Sequence, residues 1–247
     1  MLTGQSSFEI RPRKGQFVVF DKSARGLINS ILLPVPTEIT KGIVVCPTIF
    51  GNLLVGPTAE EQVSREKADV DSQVLKDLIA QGNRILPALQ HHAITATYAG
   101  IRSATENKDY QIEWQHDLNY CCVGGIRSTG LSASLGIASF VFRQYSDSGN
   151  QHAAPENLSW PKPAAIAESM QRDWQKRGNG GIICHCELVT RREINEALTG
   201  SIAPASLAGL KRRTRVTMGR CQGFYCSAEL SEMTDGLFQQ PFSEPCK

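Results

Sequence analysis

Four cysteines in the last third of the chain follow the pattern C-x-C, a long gap, then C-x4-C: Cys184, Cys186, Cys221 and Cys226. Cys184 and Cys186 are too close along the chain to close an unstrained disulfide. Four thiolates at two such stations suit either zinc or an iron–sulfur cluster. Structural zinc sites generally use a C-x2-4-C knuckle at each end, and C-x-C is tight for that. Charge favours the cluster, because four thiolates, two bridging sulfides and two ferric ions sum to about 2−, a charge that needs basic neighbours and N–H donors. Immediately before the second pair runs LKRRTRVTMGRCQGFYC, with Lys211, Arg212, Arg213, Arg215 and Arg220. The run also holds Gly219 and Gly223, and glycine lets backbone amides approach sulfur closely. A cluster is the preferred reading, with zinc as the alternative. The basic run reads either as anion compensation and docking or as an ordinary solvated face.

A second candidate site lies between residues 98 and 134. A strand-like run ends in glycines at Gly124 and Gly125, and a helix rich in small residues starts within a few positions. Such a helix start offers free N–H groups and partial positive charge to an anionic ligand, a reduced flavin included. Close helix–sheet packing is the alternative. In TYAGIRSAT, Arg102 follows Gly100 in an otherwise apolar segment. It can hold a carboxylate or phosphate through a bidentate fork, or serve as a structural ion-pair partner. No general base is nominated by spacing, since His91 and His92 read as surface or core structure.

The elements that must position these residues differ along the chain. QFVVFD, INSILLPV, GIVVCPTIF, NLLVGPT, AITATYAG, QIEW and LNYCCVG alternate with Gly, Pro, Asn and Asp, as strands do. DSQVLKDLIAQGNRIL has apolar residues at helical spacing, and a second helix follows GGIRSTG. The expected fold class is α+β, with a mixed, largely antiparallel sheet. The Pro-rich, polar stretch from Ser146 to 179 reads as a linker carrying a short helix over AAIAESMQRDWQKRG. In the cysteine region, Thr190 and Glu193 form the pattern of a capping box ahead of RREINEAL, and 206–218 predicts a further helix. Three parts are therefore expected, 1–145, 146–179 and 180–247. Cys46, Cys121 and Cys122 sit in apolar strand-like runs and read as buried structural thiols, and Cys246 as a bystander.

Bulk properties agree with this division. A chain of 247 residues is long enough for two domains, and a net charge of +2 points to neither nucleic acid nor a membrane surface. No apolar run approaches a membrane span, and the first residues lack the basic and apolar regions of a signal peptide. The expected location is cytoplasmic, where eight cysteines do not imply a disulfide framework. Peripheral attachment to an inner membrane could arise only through a partner.

CHCELVTRREINEAL followed by SLAGLKRRTRVTMGRCQGFYC resembles the 2Fe–2S domain of the bacterioferritin-associated ferredoxin type, in the version found in FAD-dependent glycerol-3-phosphate dehydrogenase-like proteins. The resemblance implies a small all-helical domain holding a 2Fe–2S cluster on Cys184, Cys186, Cys221 and Cys226. RPRKGQFVVFDK, LLPVPT, GIVVCPTIFGNLLVGPTAEE, TYAGIRSAT and GGIRSTGLSAS, in that order, resemble the D-amino acid oxidase and glycerol-3-phosphate dehydrogenase superfamily of flavoproteins. It implies that Arg102 binds the acidic group of the substrate, with Tyr98 as a further pocket residue. It also implies that Gly125, Ile126, Ser128, Thr129, Gly130 and Leu131 approach the flavin. Arg127 stands where such proteins often carry a neutral or acidic residue and receives no role.

One family feature is absent. Such flavoproteins hold the ADP part of FAD on a strand and a G-x-G-x-x-G turn, and this sequence contains no such turn. The flavoprotein part is thus expected to be incomplete, as a fragment, a split subunit or a decayed copy. It should expose apolar patches and bind FAD only if a partner or missing segment completes the site. The implied activity is oxidation of glycerol 3-phosphate, or of a related 2-hydroxy or amino acid, with hydride passing to FAD and single electrons leaving through the cluster. The implied partner supplies the ADP-binding half or accepts electrons. The rival reading is a non-catalytic electron-transfer or partner-binding module on a flavoprotein remnant.

Overall fold

The computed structural model describes residues 6–35, 42–107, 109–154, 156–157 and 171–241. The long strand β1 (Ile10–Phe20) organises the first part. It pairs antiparallel with β5 (Ile94–Thr105) along one edge, from Ile10↔Thr105 to Phe20↔Ile94. Along its other edge it pairs with β3 (Leu53–Gly56) and β4 (Glu60–Glu61), and β2 (Val44–Pro47) joins the outer side of β3. Every pairing in this sheet is antiparallel, so the sheet is not mixed as expected but wholly antiparallel, within the α+β class.

Alternation along β1 decides which face is covered. Gln16, Val18 and Phe20 are buried, and Val18 and Phe20 pack with Val45, Leu53, Val55, Leu78 and Leu89 into the first core. Each such fully buried aliphatic side chain contributes about 1.5–3 kcal/mol of transfer free energy. Helix α1 (Ser72–Ile85) supplies the lid of that core. Asp71 caps it, its carboxylate accepting from the N–H groups of Gln73 and Val74 at 2.8 and 2.9 Å, a cap worth about 1 kcal/mol. Gly82 lets the helix come down on the sheet, because a Cβ there would stand 3.0 Å from a Val55 methyl. Gln16 ties strand to helix: its amide donates to Glu60 at 2.9 Å, and its carbonyl accepts from the Asp71 N–H at 2.7 Å.

A hairpin of β6 (Gln111–Gln115) and β7 (Tyr120–Gly124) follows, turning through Asn119 in the left-handed region at φ 48°. Helix α2 (Gly130–Asp147) comes next and buries none of its residues. Leu131 and Leu135 are 92% and 86% exposed, which meets the expectation of uncovered apolar surface on this part.

The cysteine-bearing part has its own core. Ile183, Val189, Ile194, Leu210, Val216 and Leu230 are buried together with Cys184 and Cys226. Three short helices enclose it: α3 (Arg191–Thr199), α4 (Leu207–Thr214) and α5 (Ser227–Met233). The domain is not all-helical, because β8 (Ile182–Cys184) and β9 (Val189–Thr190) form a short antiparallel ladder. That ladder turns the chain back between Cys184 and the start of α3 at Arg191.

Two other expectations need correction. INSILLPV makes only a single bridge, Leu32↔Val45, instead of a strand. Pro34 has no N–H to donate to a ladder, and Ile31, Leu33 and Val35 stand exposed. Cys46, Cys121 and Cys122 are only partly buried, because they lie on the two-stranded or edge regions of their sheets. Cys246 and the first half of the expected linker helix (164–170) lie outside the described residues, and 171–178 forms one 3-10 turn at Asp173–Gln175 instead of a helix. Among the described residues no helix is long and apolar enough to cross a membrane.

Candidate functional site

Beside the edge of β1 and β5 opens a cleft of ≈ 610 Å³. Arg13, Arg102 and Arg127 line it, with Thr58, Tyr110, Gly125, Ser128 and Thr129 among their neighbours. Arg102 owes its position to Gly15 across the ladder, where a Cβ would stand 2.4 Å from its guanidinium. The guanidinium donates to the Thr58 carbonyl at 3.0 Å. Burial, and then the nearby Arg13, lowers its pKa from the usual arginine value. Arg127 donates to the carbonyls of Thr105 and Asn107 at 3.0 and 2.6 Å, and its buried Nε has no partner among the described residues. Arg13 pairs with Glu61. Among the described residues no carboxylate pairs with Arg102 or Arg127. Two guanidiniums without a carboxylate partner among the described residues give this cleft the chemistry to attract an anion.

The glycine turn also lines the cleft. Gly125 takes φ 67° there, with Gln111 and Thr105 side chains packed where a Cβ would go. The Thr129 hydroxyl meets the Tyr110 hydroxyl at 2.5 Å, and Thr129 gives α2 no side-chain cap, so the first N–H groups of the helix remain available. Gly125, Ser128 and Thr129 line the cleft, whereas Ile126 faces Ser103, which donates to its carbonyl at 3.3 Å. Gly130 packs against Ile126, and Leu131 points to solvent. Tyr98 shares the β5 face of Arg102 but lies outside the cleft, stacked on Phe17 with ring centroids 4.8 Å apart. Sequence reasoning left Arg127 unassigned and missed Arg13 and Tyr110, which only the sheet register and the hairpin bring to the cleft.

The four thiols of the second site converge in pairs. Cys186 interacts with Cys221, and Cys184 with Cys226, with weaker coupling across the pairs. Backbone N–H groups aim at the sulfurs: those of Tyr225, Gly223 and Phe224 at Cys221, that of Cys221 at Cys186, and that of Thr217 at Cys226. The Cys221 thiol is accordingly lowered, by the Tyr225 N–H above all. Burial and then the neighbouring Cys184 push the Cys226 thiol up to about 11. Among the described residues no three His, Cys, Asp or Glu side chains group closely enough to hold a single ion.

The loops that hold this arrangement are strained. Leu188, Arg215, Thr217 and Gln222 all take positive φ, between 52° and 67°. A β-branched residue there, such as Thr217, costs about 1–3 kcal/mol. Gly219 abuts Cys186 so closely that a Cβ would lie 2.0 Å from the cysteine Cβ. Strain, crowding and inward N–H groups together fit a thiolate cluster held by amide hydrogen bonds. Glu187, 2% exposed, is gripped by Lys22 at 3.1 Å and Arg215 at 3.0 Å.

A profile described as "FAD dependent oxidoreductase" matches residues 1–143, and one described as "BFD-like [2Fe-2S] binding domain" matches 182–235. The chain is 31% identical over 240 residues to a glycerol 3-phosphate dehydrogenase of Caloramator mitchellensis, covering 94% of this chain and 50% of that one. Over 69 residues it is 38% identical to one subunit of the anaerobic glycerol-3-phosphate dehydrogenase of Escherichia coli (strain K12), covering 27% of this chain and 12% of that one. In structure it is similar to the L-alpha-glycerophosphate oxidase of Mycoplasma pneumoniae solved with FAD bound: TM-score 0.52, 28% identity, 63% of this chain and 42% of that one. The chain thus spans half the length of the first relative or less of the others. With the profile covering more than half of its residues, the chain belongs to the FAD dependent oxidoreductase (DAO) family and carries a BFD-like [2Fe-2S] domain after it.

Proposed function

We propose that this chain provides the substrate-facing part and the electron outlet of a flavin-dependent dehydrogenase acting on glycerol 3-phosphate or a closely related anionic alcohol. The observation that carries the reading is the cleft in which Arg102 and Arg127 stand without a carboxylate among the described residues, with Arg13 beside them. A phosphate accepts from such a fork, and the Gly125–Thr129 turn presents further N–H groups to the same space. Bound flavin would supply the hydride-accepting chemistry. The chain's own residues would anchor the substrate's charged end, orient its hydroxyl-bearing carbon toward the turn, and hold the thiolate cluster against the turn that follows β1. The names of the relatives support glycerol 3-phosphate as substrate.

The sequence has no G-x-G-x-x-G turn, so the ADP part of FAD would be held by protein outside these residues, in a partner chain or a further segment. The exposed apolar residues of α2 suit such a neighbour. Being similar to a protein named as one subunit of an enzyme supports a protein partner. Arg102, Gly125, Ser128 and Thr129 are the residues proposed for substrate and flavin, and Tyr98 and Leu131 have weaker support.

The test is anaerobic reduction of the native complex, purified with whatever chains and flavin accompany it. Addition of glycerol 3-phosphate should produce the paramagnetic signal of the reduced cluster, while glycerol should not, and Arg102→Met should abolish the response. Reduction by glycerol or by an amino acid alone would overturn the substrate assignment. A complex holding both flavin and cluster that none of these compounds reduces would favour the non-catalytic module.

A further inference from the structure

The loops that hold the thiols are also the surface by which the cluster domain meets the oxidoreductase part. Lys22, which opens the turn after β1, reaches into them: its ammonium donates to the carbonyl of Cys186 at 3.1 Å and pairs with buried Glu187 at 3.1 Å. Arg215 holds the other carboxylate oxygen of Glu187 at 3.0 Å and lays its guanidinium over the Phe50 ring, 3.4 Å from the centroid. Next to this, Arg220 pairs with Asp21, and Gln222 donates to the Thr95 carbonyl at 2.8 Å. Cys186, Glu187, Arg215, Arg220 and Gln222 belong to the cysteine loops, while Asp21, Lys22, Phe50 and Thr95 belong to the first sheet and its turns.

We propose that Lys22 is a positioning residue for the cluster, setting its reduction potential from across the domain contact. One-electron reduction takes a four-thiolate 2Fe–2S centre from about 2− to 3−. A cation that touches a ligand residue in a part-buried site favours the more negative state, since screening by water is weak there. Glu187 opposes that effect, and its burial keeps both charges in place. The potential therefore depends on docking: a cluster domain pulled off the β1 corner loses Lys22 and becomes harder to reduce. The contact couples cluster chemistry to the arrangement of the two parts.

The proposal rests on the four-cysteine cluster reading and separates from it cleanly. The experiment is a redox titration of the purified chain with bound cluster, followed by the reduced-state resonance, on wild type, Lys22→Met, Lys22→Arg and Glu187→Gln. Lys22→Met should move the midpoint to more negative values, Lys22→Arg should restore it, and Glu187→Gln should move it the other way. A structural role alone moves both variants the same way or neither. An unmoved midpoint in Lys22→Met with its cluster intact would overturn the proposal, as would shifts of one sign in Lys22→Met and Glu187→Gln. If Lys22→Met fails to retain iron, the decision falls to Lys22→Gln, which keeps a donor for the Cys186 carbonyl without the charge and whose midpoint has to fall below that of wild type. Wild-type protein without iron and sulfide would instead overturn the cluster reading itself.

Discussion

Replacing Gly219 with alanine adds a single methyl group at the most crowded glycine of the thiol site. The new Cβ would lie 2.0 Å from the Cys186 Cβ, 3.1 Å from its Sγ and 3.3 Å from its Cα. Carbon atoms rest about 3.5–4.0 Å apart, so the two segments would have to separate by about 1.5 Å. The first atom struck is the root of a ligand side chain, not the end of a flexible one. Metal–ligand distances tolerate about 0.2 Å, so relief comes at the expense of the cluster. In the absence of the cluster, the overpacking costs about 1–3 kcal/mol. Gly136→Ala is the matched control: its Cβ would meet nothing within 4 Å, and in a helix alanine is about 1 kcal/mol better than glycine. Iron and acid-labile sulfide per chain, with urea unfolding of the iron-free protein, read both effects. Gly219→Ala should lose cluster and stability while Gly136→Ala keeps both. Full iron and sulfide in Gly219→Ala, with an unchanged unfolding midpoint, would refute the packing argument.

Three other outcomes follow from the geometry. Thr190→Ala removes the oxygen that accepts from the Glu193 N–H at 3.2 Å and the hydroxyl that donates to Asp173 at 2.5 Å. It should destabilise the cluster domain by about 1–2 kcal/mol in denaturant unfolding, and Thr190→Ser should recover most of that. Arg102→Lys keeps charge but loses the planar fork and should weaken binding of glycerol 3-phosphate to the native complex by about 10–100-fold in equilibrium dialysis, the loss of one charge-assisted bond. Asp173 feels burial, which raises its pKa, but Arg192 and Thr190 outweigh it and hold the carboxyl below its usual value. Its folded pKa being the lower one, it contributes stability above the ordinary Asp range that is lost as pH falls through the folded value. Asp173→Asn should therefore flatten the acid limb of cluster-domain stability, and an acid limb identical to wild type would contradict that assignment.

What could be read from the sequence was whatever local chemistry dictates. The capping box at Thr190 and Glu193, the helix over DSQVLKDLIAQGNRIL and the strand character of QFVVFD and AITATYAG all depend on neighbours in the chain or on alternation. The cysteine quartet was legible from spacing and charge together. Long-range register was not. Arg13 and Arg102 are direct partners in the ladder, and nothing in either segment announces it. Tyr98 has the same parity as Arg102 yet meets Phe17 instead of the cleft, because a strand's face extends further than any one pocket. The contact of Lys22 with Glu187, between residues far apart in sequence, was equally invisible, since each is an ordinary charge in its own segment. Pro34 lies in plain sight in INSILLPV, and its missing N–H outweighs the apolar run around it, leaving one bridge in place of a strand.

Elemental analysis of the chain purified anaerobically, with iron, acid-labile sulfide and zinc measured on the same sample, decides what the four thiols hold. Two irons and two sulfides per chain, lost on replacing Cys184 or Cys221 with serine, are the predicted result. Stoichiometric zinc without sulfide would contradict it, because the paired thiols would then be holding a single structural ion and no electron could leave through them.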